Sequence, residues 1–292
     1  EIRKFDYSVN ELLDGPEQFS ALAEKIQHLH ILFWLMIPDM NYEERQLLDE
    51  AIILTYEKKG ITFDNASLND PENPDRYREM PVLGDVYDIL VQEPETARMA
   101  KIMRQEISGS ARNLNQPTNV ELNNDYNVLD ISRMTGIMQT IVLFAALEYV
   151  WDRAKADRTE EKAVFIDECW QLLSATSAEG SRMAGDFILE IFKTIRGYGG
   201  AAIGASQDLY DFLKADNGRF GKGIINNSKT KIILNLEEDE AVRVQDALHL
   251  SDAEIMEVTH FERGTGLIST NNNNVIVDFK ASPLEKDLIT TD

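Results

Sequence analysis

The 292-residue chain is long enough to bury a large hydrophobic core and to form two subdomains. Its 43% hydrophobic and 27% charged residues are typical of a globular protein, and it has no apolar run of the roughly eighteen residues that a membrane span needs. The net charge of -22 excludes a uniformly basic surface that would coat DNA, so any contact with nucleic acid would have to be local.

The first 115 residues are predicted to form an all-α subdomain, because their apolar side chains recur at helical spacing. One helix is predicted over Glu17–Met36 and ends before Pro38. A second is predicted over Tyr42–Lys59 and ends at Gly60.

A loop rich in Asn, Asp and Pro covers Asn65–Arg78 and separates these helices from the next pair. That pair is predicted over Val82–Val91 and Pro94–Ile107, with Pro94 in the first turn of its helix. The apolar run Ile31–Ile37 is interpreted as a core or subunit-contact segment. The chain begins with Glu1 rather than Met, which favours a piece cut from a longer protein.

Residues 116–292 show a different pattern, in which short apolar runs alternate with helices. Short β-type runs are predicted over Thr118–Leu122 and Asn127–Ile131, followed by a helix over Thr135–Asp152. The later predicted elements are a strand ending at Asp167, a helix over Ser177–Ile195, strands over Ala201–Ala205 and Lys231–Leu236, and a hairpin of Gly266–Ser269 and Val275–Lys280. Strands alternating with helices predict a parallel sheet, so the fold class is α/β.

The strand Ala163–Ile166 runs directly into Asp167 and Glu168, and this acidic pair is the main candidate site. Ligands of parallel sheets bind just beyond the carboxyl ends of the strands. In a P-loop nucleotide hydrolase, Asp167 would hold the water shell of Mg²⁺ and Glu168 would activate the attacking water. The alternative is a surface pair that ends the strand and caps a helix starting near Cys169.

Cys169 is the only cysteine, which excludes an intramolecular disulfide and is typical of a reducing cytosol. No His lies near it in the sequence, so a buried small side chain is favoured over a thiol nucleophile. A metal site made by protein ligands alone is not expected, because His28 and His30 do not share a helix face.

Three further polar residues are candidates, each with a structural alternative. Gln207 follows the strand Ala201–Ala205 and would sense a terminal phosphate or position water, or it belongs to a helix start capped by Ser206. Arg196 ends a long helix, where it either suits the helix dipole or acts as an arginine finger on the nucleotide of a neighbour. Arg263 has the same two interpretations.

A phosphate-binding loop of the form GxxxxGK[ST] does not occur among the sixteen glycines of the chain. The nearest sequence, Gly218–Gly223, has the wrong spacing and places Gly223 where Ser or Thr is required. The chain as printed therefore lacks the loop that would hold the phosphates of ATP.

Several segments together resemble the ATPase domain of the VirB-four type of conjugation and type IV secretion ATPases, also called TraC, TrbE or CagE. They are, in order, ERQLLDEAIILTYEKKGIT, YNVLDIS, KAVFIDECWQLL, FKTIRGYGGAAIGASQDLYDF, NNSKTKIILNLEEDE, FERGTGLI and a C-terminal TTD. Each is modest alone, but their order and spacing are specific, and they cover nearly the whole chain.

The resemblance implies a RecA-like P-loop NTPase core with an all-α subdomain, use of ATP and Mg²⁺, and assembly into hexamers. It implies work with other type IV secretion components at the cytoplasmic face of the bacterial cell membrane, powering export of DNA or protein, or pilus assembly. By position, Asp167 and Glu168 match the Walker B acids, Gln207 the sensor glutamine and Arg196 the arginine of the following motif. Arg263 is a less secure match, as a residue that contacts the nucleotide.

The chain departs from the family in lacking the Walker A segment, which the resemblance would place upstream of Glu1. The sheet would then lack its first strand, and this chain alone would bind ATP weakly or not at all. Two alternatives remain open at the level of sequence: a related DNA-pumping coupling protein or translocase, for which we expect a more basic surface, and a non-catalytic assembly module.

Overall fold

The computed structural model describes residues 20–120, 124–168, 178–207, 209–271 and 273–289. The chain divides into two compact units, each assembled from several stretches of sequence. The first unit comprises Glu1–Val164, Ser174–Gly185 and Ile195–Ala201, and the second comprises Phe165–Leu173, Asp186–Thr194 and Ala202–Asp292. The subdomain boundary near residue 115 stays a prediction.

The first unit is helical over most of its described part. Its complete helices are α1 (Ala21–Met36), α2 (Tyr42–Lys58), α3 (Leu83–Leu90), α4 (Ala97–Ile107) and α5 (Ile137–Ala156). Short 3-10 helices cover Asn65–Leu68, Pro94–Thr96 and Arg112–Leu114. The four helices predicted before residue 115 are therefore confirmed, with ends shifted by a few residues.

Local signals explain where these helices begin and end. Ser20 Oγ accepts a hydrogen bond from the Ala23 N–H at the start of α1. The Asn41 side chain and Glu44 form a reciprocal capping box at the start of α2. Gly60, just after α2, has a φ of 76°, a conformation that a glycine adopts without steric cost.

Helix α1 lies against α5 in the core of the first unit. Phe33 and Leu35 of α1 and Phe144 of α5 are almost completely buried. The predicted core segment Ile31–Ile37 is buried or half-buried along its whole length. Burial of such side chains supplies about 1.5–3 kcal/mol each to the stability of the unit.

Strands β1 (Lys162–Asp167) and β2 (Gly200–Ala205) are hydrogen-bonded neighbours, and α6 (Ala178–Thr194) with a 3-10 turn (Ile195–Tyr198) lies between them in sequence. The N–H of Lys162, the first residue of β1, donates to the carbonyl of Gly199, directly before β2, at 3.3 Å. Both strands therefore begin at the same edge and run parallel, joined by a helical crossover.

The second unit contains the rest of the β structure and several short helices. Its described elements are α7 (Leu209–Lys214), α8 (Arg219–Asn227), β3 (Thr230–Ile233), α9 (Glu238–Leu248), α10 (Asp252–Val258), β4 (Thr265–Thr270), β5 (Asn273–Asp278) and α11 (Pro283–Ile289). The predicted hairpin is confirmed, because β4 and β5 pair antiparallel with Leu267 opposite Ile276.

The third strand pairs differently from the sequence-based expectation. β3 is antiparallel to β4, with Ile232 opposite Ile268 and Ile233 opposite Leu267, rather than a further parallel strand. Its apolar side chains match those of β4 across the pair, and such cross-strand pairs stabilise a sheet.

The predicted β-type run at Asn127–Ile131 is wrong, because these residues form no strand. Side-chain hydrogen bonds turn the backbone instead: Asn127 Nδ2 donates to the Asn124 carbonyl, and Asp130 Oδ1 accepts from the Ser132 N–H. Of the other run, Thr118–Leu122, residues 118–120 form no strand and the last two lie outside the described residues.

Candidate functional site

The acidic pair lies where the sequence predicts it, at the carboxyl end of β1. Asp167 is the last residue of the strand and is exposed, and Glu168 follows it and is half-buried. Ile166, directly before the pair, is buried, so the strand anchors the acids from the core side. Cys169, for which the sequence favours a buried small side chain, lies outside the described residues.

Glu168 has an unusual backbone conformation, with a φ of 50°. This left-handed region is uncommon for residues with a side chain, and such conformations concentrate at functional sites. Glu168 lies in a turn directly after β1. Its side chain therefore does not follow the alternating up-and-down pattern of the side chains of the strand.

Gln207 lies two residues beyond the end of β2 and is exposed. Because β1 and β2 are parallel neighbours that begin at the same edge, their carboxyl ends also share an edge. The structure therefore places Asp167, Glu168 and Gln207 at the same edge of the β1–β2 sheet. We call this edge, with these three residues, the acid–amide edge.

Gly199 lies at the opposite edge, where the two strands begin. It has a φ of 73°, and a Cβ atom there would lie 2.8 Å from the carbonyl oxygen of Arg158 and 2.9 Å from that of Glu160. Only a glycine allows this close approach, so Gly199 helps to set the register in which β1 and β2 pair.

The two arginine candidates are both exposed but lie on different elements. Arg196 is in the 3-10 turn before β2, whereas Gln207 follows β2, so one strand length separates their positions in the chain. Arg263 precedes β4, close to Gly264, whose carbonyl accepts from the Phe279 N–H at 2.6 Å. Among the described residues, β4 belongs to a different sheet from β1 and β2.

The glycine-rich sequence Gly218–Gly223 forms the start of a helix rather than a phosphate-binding loop. Gly218 adopts a left-handed conformation before α8, and a Cβ at Gly223 would come within 2.9 Å of the Leu189 side chain. Gly223 thus allows α8 to pack closely against Leu189, a role that the sequence did not predict.

Sequence reasoning missed a buried cluster of charged groups between α1 and α5. Lys25 and His28 of α1 meet Glu148 of α5, with Asp152 about one turn and Lys155 about two turns further along that helix. The cluster borders a cavity of about 180 Å³. A signal was present in the sequence, since charged residues interrupt two otherwise apolar helices at spacings of three and four.

The side chains of His28, Glu148 and Asp152 come close enough to share a metal ion. The ammonium group of Lys25 already contacts the Glu148 carboxylate, and that of Lys155 lies 3.4 Å from Asp152. Each acid of this group therefore has a lysine beside it, and Lys155 also pairs with Glu24 of α1. The arrangement is that of a buried salt-bridge network that joins α1 to α5.

Comparison with known proteins gives matches at the level of family and fold. The TraG P-loop domain family matches residues 76–284 of this chain. Eighteen chains of solved structures match, among them VirB4 of Thermoanaerobacter pseudethanolicus, with 27% identity and a TM-score of 0.82. That match covers 92% of this chain and 72% of the VirB4 chain. No curated protein matches the sequence.

The similarity to VirB4 confirms the predicted α/β fold class with a RecA-like P-loop core. Within the described residues, no helix combines the length and apolar character needed to cross a membrane.

Proposed function

The chain belongs to the TraG P-loop domain family, and we propose that its acid–amide edge is the hydrolytic side of an ATP site. The family and the similarity to VirB4 identify an ATPase domain of conjugative transfer or type IV secretion. One observation supports the proposed residue roles above all: the parallel neighbours β1 and β2 carry Asp167, Glu168 and Gln207 at one edge.

The three side chains suit different parts of the reaction. Asp167, exposed at the strand end, offers the carboxylate oxygen that a hydrated Mg²⁺ prefers. Glu168 would accept a proton from the attacking water, and the Gln207 amide would orient that water. Bound Mg²⁺ would supply charge neutralisation of the phosphates.

We propose that the phosphates are held by a segment outside these 292 residues, because no GxxxxGK[ST] sequence occurs within them. Within the described part of the chain, β1 and β2 form a sheet of only two strands. Each strand therefore has one side along which a further strand can pair. Accordingly, this chain by itself binds Mg²⁺-ATP weakly or not at all.

The exposed arginines fit a site completed by a second subunit. Arg196 and Arg263 are both exposed and precede their strands, so each is available to a neighbouring chain. We propose a hexamer in which one of them contacts the nucleotide of the adjacent subunit. Such an assembly would act with other secretion components at the cytoplasmic face of the bacterial membrane, with at most a local DNA contact.

A DNA-pumping coupling protein or translocase is the second candidate. It shares the acids and the glutamine, but it grips DNA through positive charge. The net charge of -22 favours the secretion ATPase over this candidate.

The test is ATP turnover by the full-length protein, including the phosphate-binding segment, with Glu168→Gln and Gln207→Ala variants. Loss of the general base should lower kcat by about 10²–10⁴-fold for Glu168→Gln. The matched control is Glu161→Gln, since Glu161 is an exposed acid at the opposite end of β1. It should retain activity within about twofold.

Equal turnover by wild type and Glu168→Gln would contradict the proposed role and support a non-catalytic assembly module. The role of the outside segment is tested separately, by calorimetric titration of the 292-residue chain with Mg²⁺-ATP. Micromolar binding by this chain would show that it holds the phosphates without that segment.

A further inference from the structure

Helix α7 begins at Leu209, two residues after Gln207, and its first amide is held by a side chain from another helix. The Leu209 N–H donates to Glu240 Oε1 of α9 at 3.1 Å. The first N–H groups of a helix have no partner inside it, and a carboxylate there is favourable for hydrogen bonding and for the helix dipole.

This bond constrains the position of Gln207. The residue is tied to β2 on one side, where Ala205 ends the strand, and to the held Leu209 amide on the other. Only two peptide units join Gln207 to Leu209, so their Cα atoms are at most about 7 Å apart. The held start of α7 therefore limits the positions that Gln207 can reach.

A second contact fixes the same pair of helices. The Arg243 guanidinium lies over the Tyr210 ring, 4.8 Å from its centre, and Arg243 is three residues after Glu240 on α9. Consecutive residues of α7 thus meet residues one turn apart on α9. Helix α9 is itself anchored by buried Ala241 and Val244, so it forms a firm support.

We propose that Glu240 is a positioning residue for the reaction. It holds the Gln207 side-chain amide level with Asp167 and Glu168, at the carboxyl ends of β1 and β2. This inference rests on the proposed function of the acid–amide edge. Glu240 acts through the Leu209 amide and the backbone of the Gln207 turn, not by contact with the nucleotide.

The experiment combines two measurements on Glu240→Ala, Glu240→Gln and Glu238→Ala. The first is hydrogen exchange of the Leu209 amide in the 292-residue chain, and the second is ATP turnover by the full-length protein. Glu238 is an exposed glutamate in the same first turn of α9 and serves as the matched control. Thermal unfolding of each variant verifies that it is folded.

We expect Glu240→Ala to speed exchange of the Leu209 amide about tenfold and to lower kcat about fivefold, as for a lost helix cap. KM for ATP should change less than about twofold, because binding of the phosphates does not involve this turn. Glu240→Gln keeps an acceptor oxygen and should recover most of the rate, and Glu238→Ala should match wild type in both measurements.

Faster exchange with unchanged kcat in Glu240→Ala, while Gln207→Ala is impaired, would overturn the positioning role alone. Full activity of Gln207→Ala would instead overturn the proposed function of Gln207 and the positioning role with it. Unchanged exchange in Glu240→Ala would show that the Glu240 carboxylate does not hold the start of α7.

Discussion

The carboxylate of Glu148 on α5 and the ammonium group of Lys25 on α1 form a buried ion pair, their side chains being 12% and 10% exposed. His28 Nδ1 lies 3.4 Å from the same carboxylate oxygen. Burial alone would raise the pKa of Glu148, but the charge of Lys25 and the hydrogen bonds from His28 and Lys25 outweigh it. The pKa of Glu148 therefore lies well below its usual range.

Replacing Glu148 with Ala should destabilise the first unit strongly, because it leaves the Lys25 ammonium buried without its main partner. Breaking a buried pair in this way typically costs about 3–5 kcal/mol. The matched control is Glu79→Ala, which breaks the 2.7 Å pair of Lys59 with a glutamate that is 80% exposed and should cost less than about 1 kcal/mol. Urea unfolding of both variants measures the difference, and equal losses would contradict a structural role for the buried pair.

The same pair predicts a dependence of stability on pH. The folded-state pKa of Glu148 is below that of the unfolded chain, which is about 4.3 for a glutamate. The pair therefore contributes its full stability above that value and loses it as the pH falls below it. Unfolding free energies between about pH 6 and pH 3 should fall less steeply for Glu148→Gln than for wild type. Parallel curves for the two proteins would exclude Glu148 as a source of the acid sensitivity.

The pKa of Glu106 on α4 is shifted in the opposite direction to that of Glu148. Glu106 is 6% exposed, its Oε2 atom is buried without a hydrogen-bond partner, and burial raises its pKa. Replacing it with Leu should raise the free energy of unfolding by about 1 kcal/mol or more at neutral pH. The gain should shrink as the pH falls, because the wild-type carboxyl then takes up a proton in the folded state. Gln105→Leu, at an exposed position beside it, should change little, and an equal gain there would point to helix propensity instead.

Sequence patterns were sufficient for elements whose ends depend on neighbouring residues. Pro38 and Gly60 mark the ends of the first two helices because their effect on the backbone is local. The apolar run before Asp167 likewise predicted the strand β1. The same run predicted burial on both faces of the strand, and that part is wrong, because Ile166 is buried but Phe165 is 74% exposed.

Local sequence patterns did not predict features that depend on contacts between residues far apart in the chain. The antiparallel pairing of β3 depends on Ile232 meeting Ile268, a residue 36 positions away in the chain. The buried network depends on Lys25 meeting Glu148 across 123 positions. At Asn127, a run with apolar residues resembled a strand, but a local side-chain hydrogen bond to the Asn124 carbonyl competes with strand pairing.

Gly199→Ala should disturb the start of the β1–β2 pair. The new Cβ would require a left-handed backbone at a φ of 73° and would approach the carbonyl oxygens of Arg158 and Glu160 within 2.9 Å. The combined cost should be about 2–4 kcal/mol. Gly197→Ala is the control, because nothing lies within 4 Å of its added Cβ, and urea unfolding should leave it near wild type. A Gly199 variant as stable as this control would contradict the close approach of Gly199 to the backbone of Arg158 and Glu160.

Arg196 is predicted to act on a neighbouring subunit, because the six-residue strand β2 lies between it and Gln207. The ends of such a strand are about 20 Å apart, beyond the reach of an arginine side chain. In full-length protein, Arg196→Ala and Glu168→Gln should each lower ATP turnover strongly, yet mixed oligomers of the two should recover part of it. In such oligomers some sites combine an intact Glu168 from one subunit with an intact Arg196 from the next.

The control is a mixture of Glu168→Gln with Gln207→Ala, whose defects lie in the same site and should not complement. If verified mixed oligomers of the first pair show no recovery, Arg196 does not act on a neighbouring site.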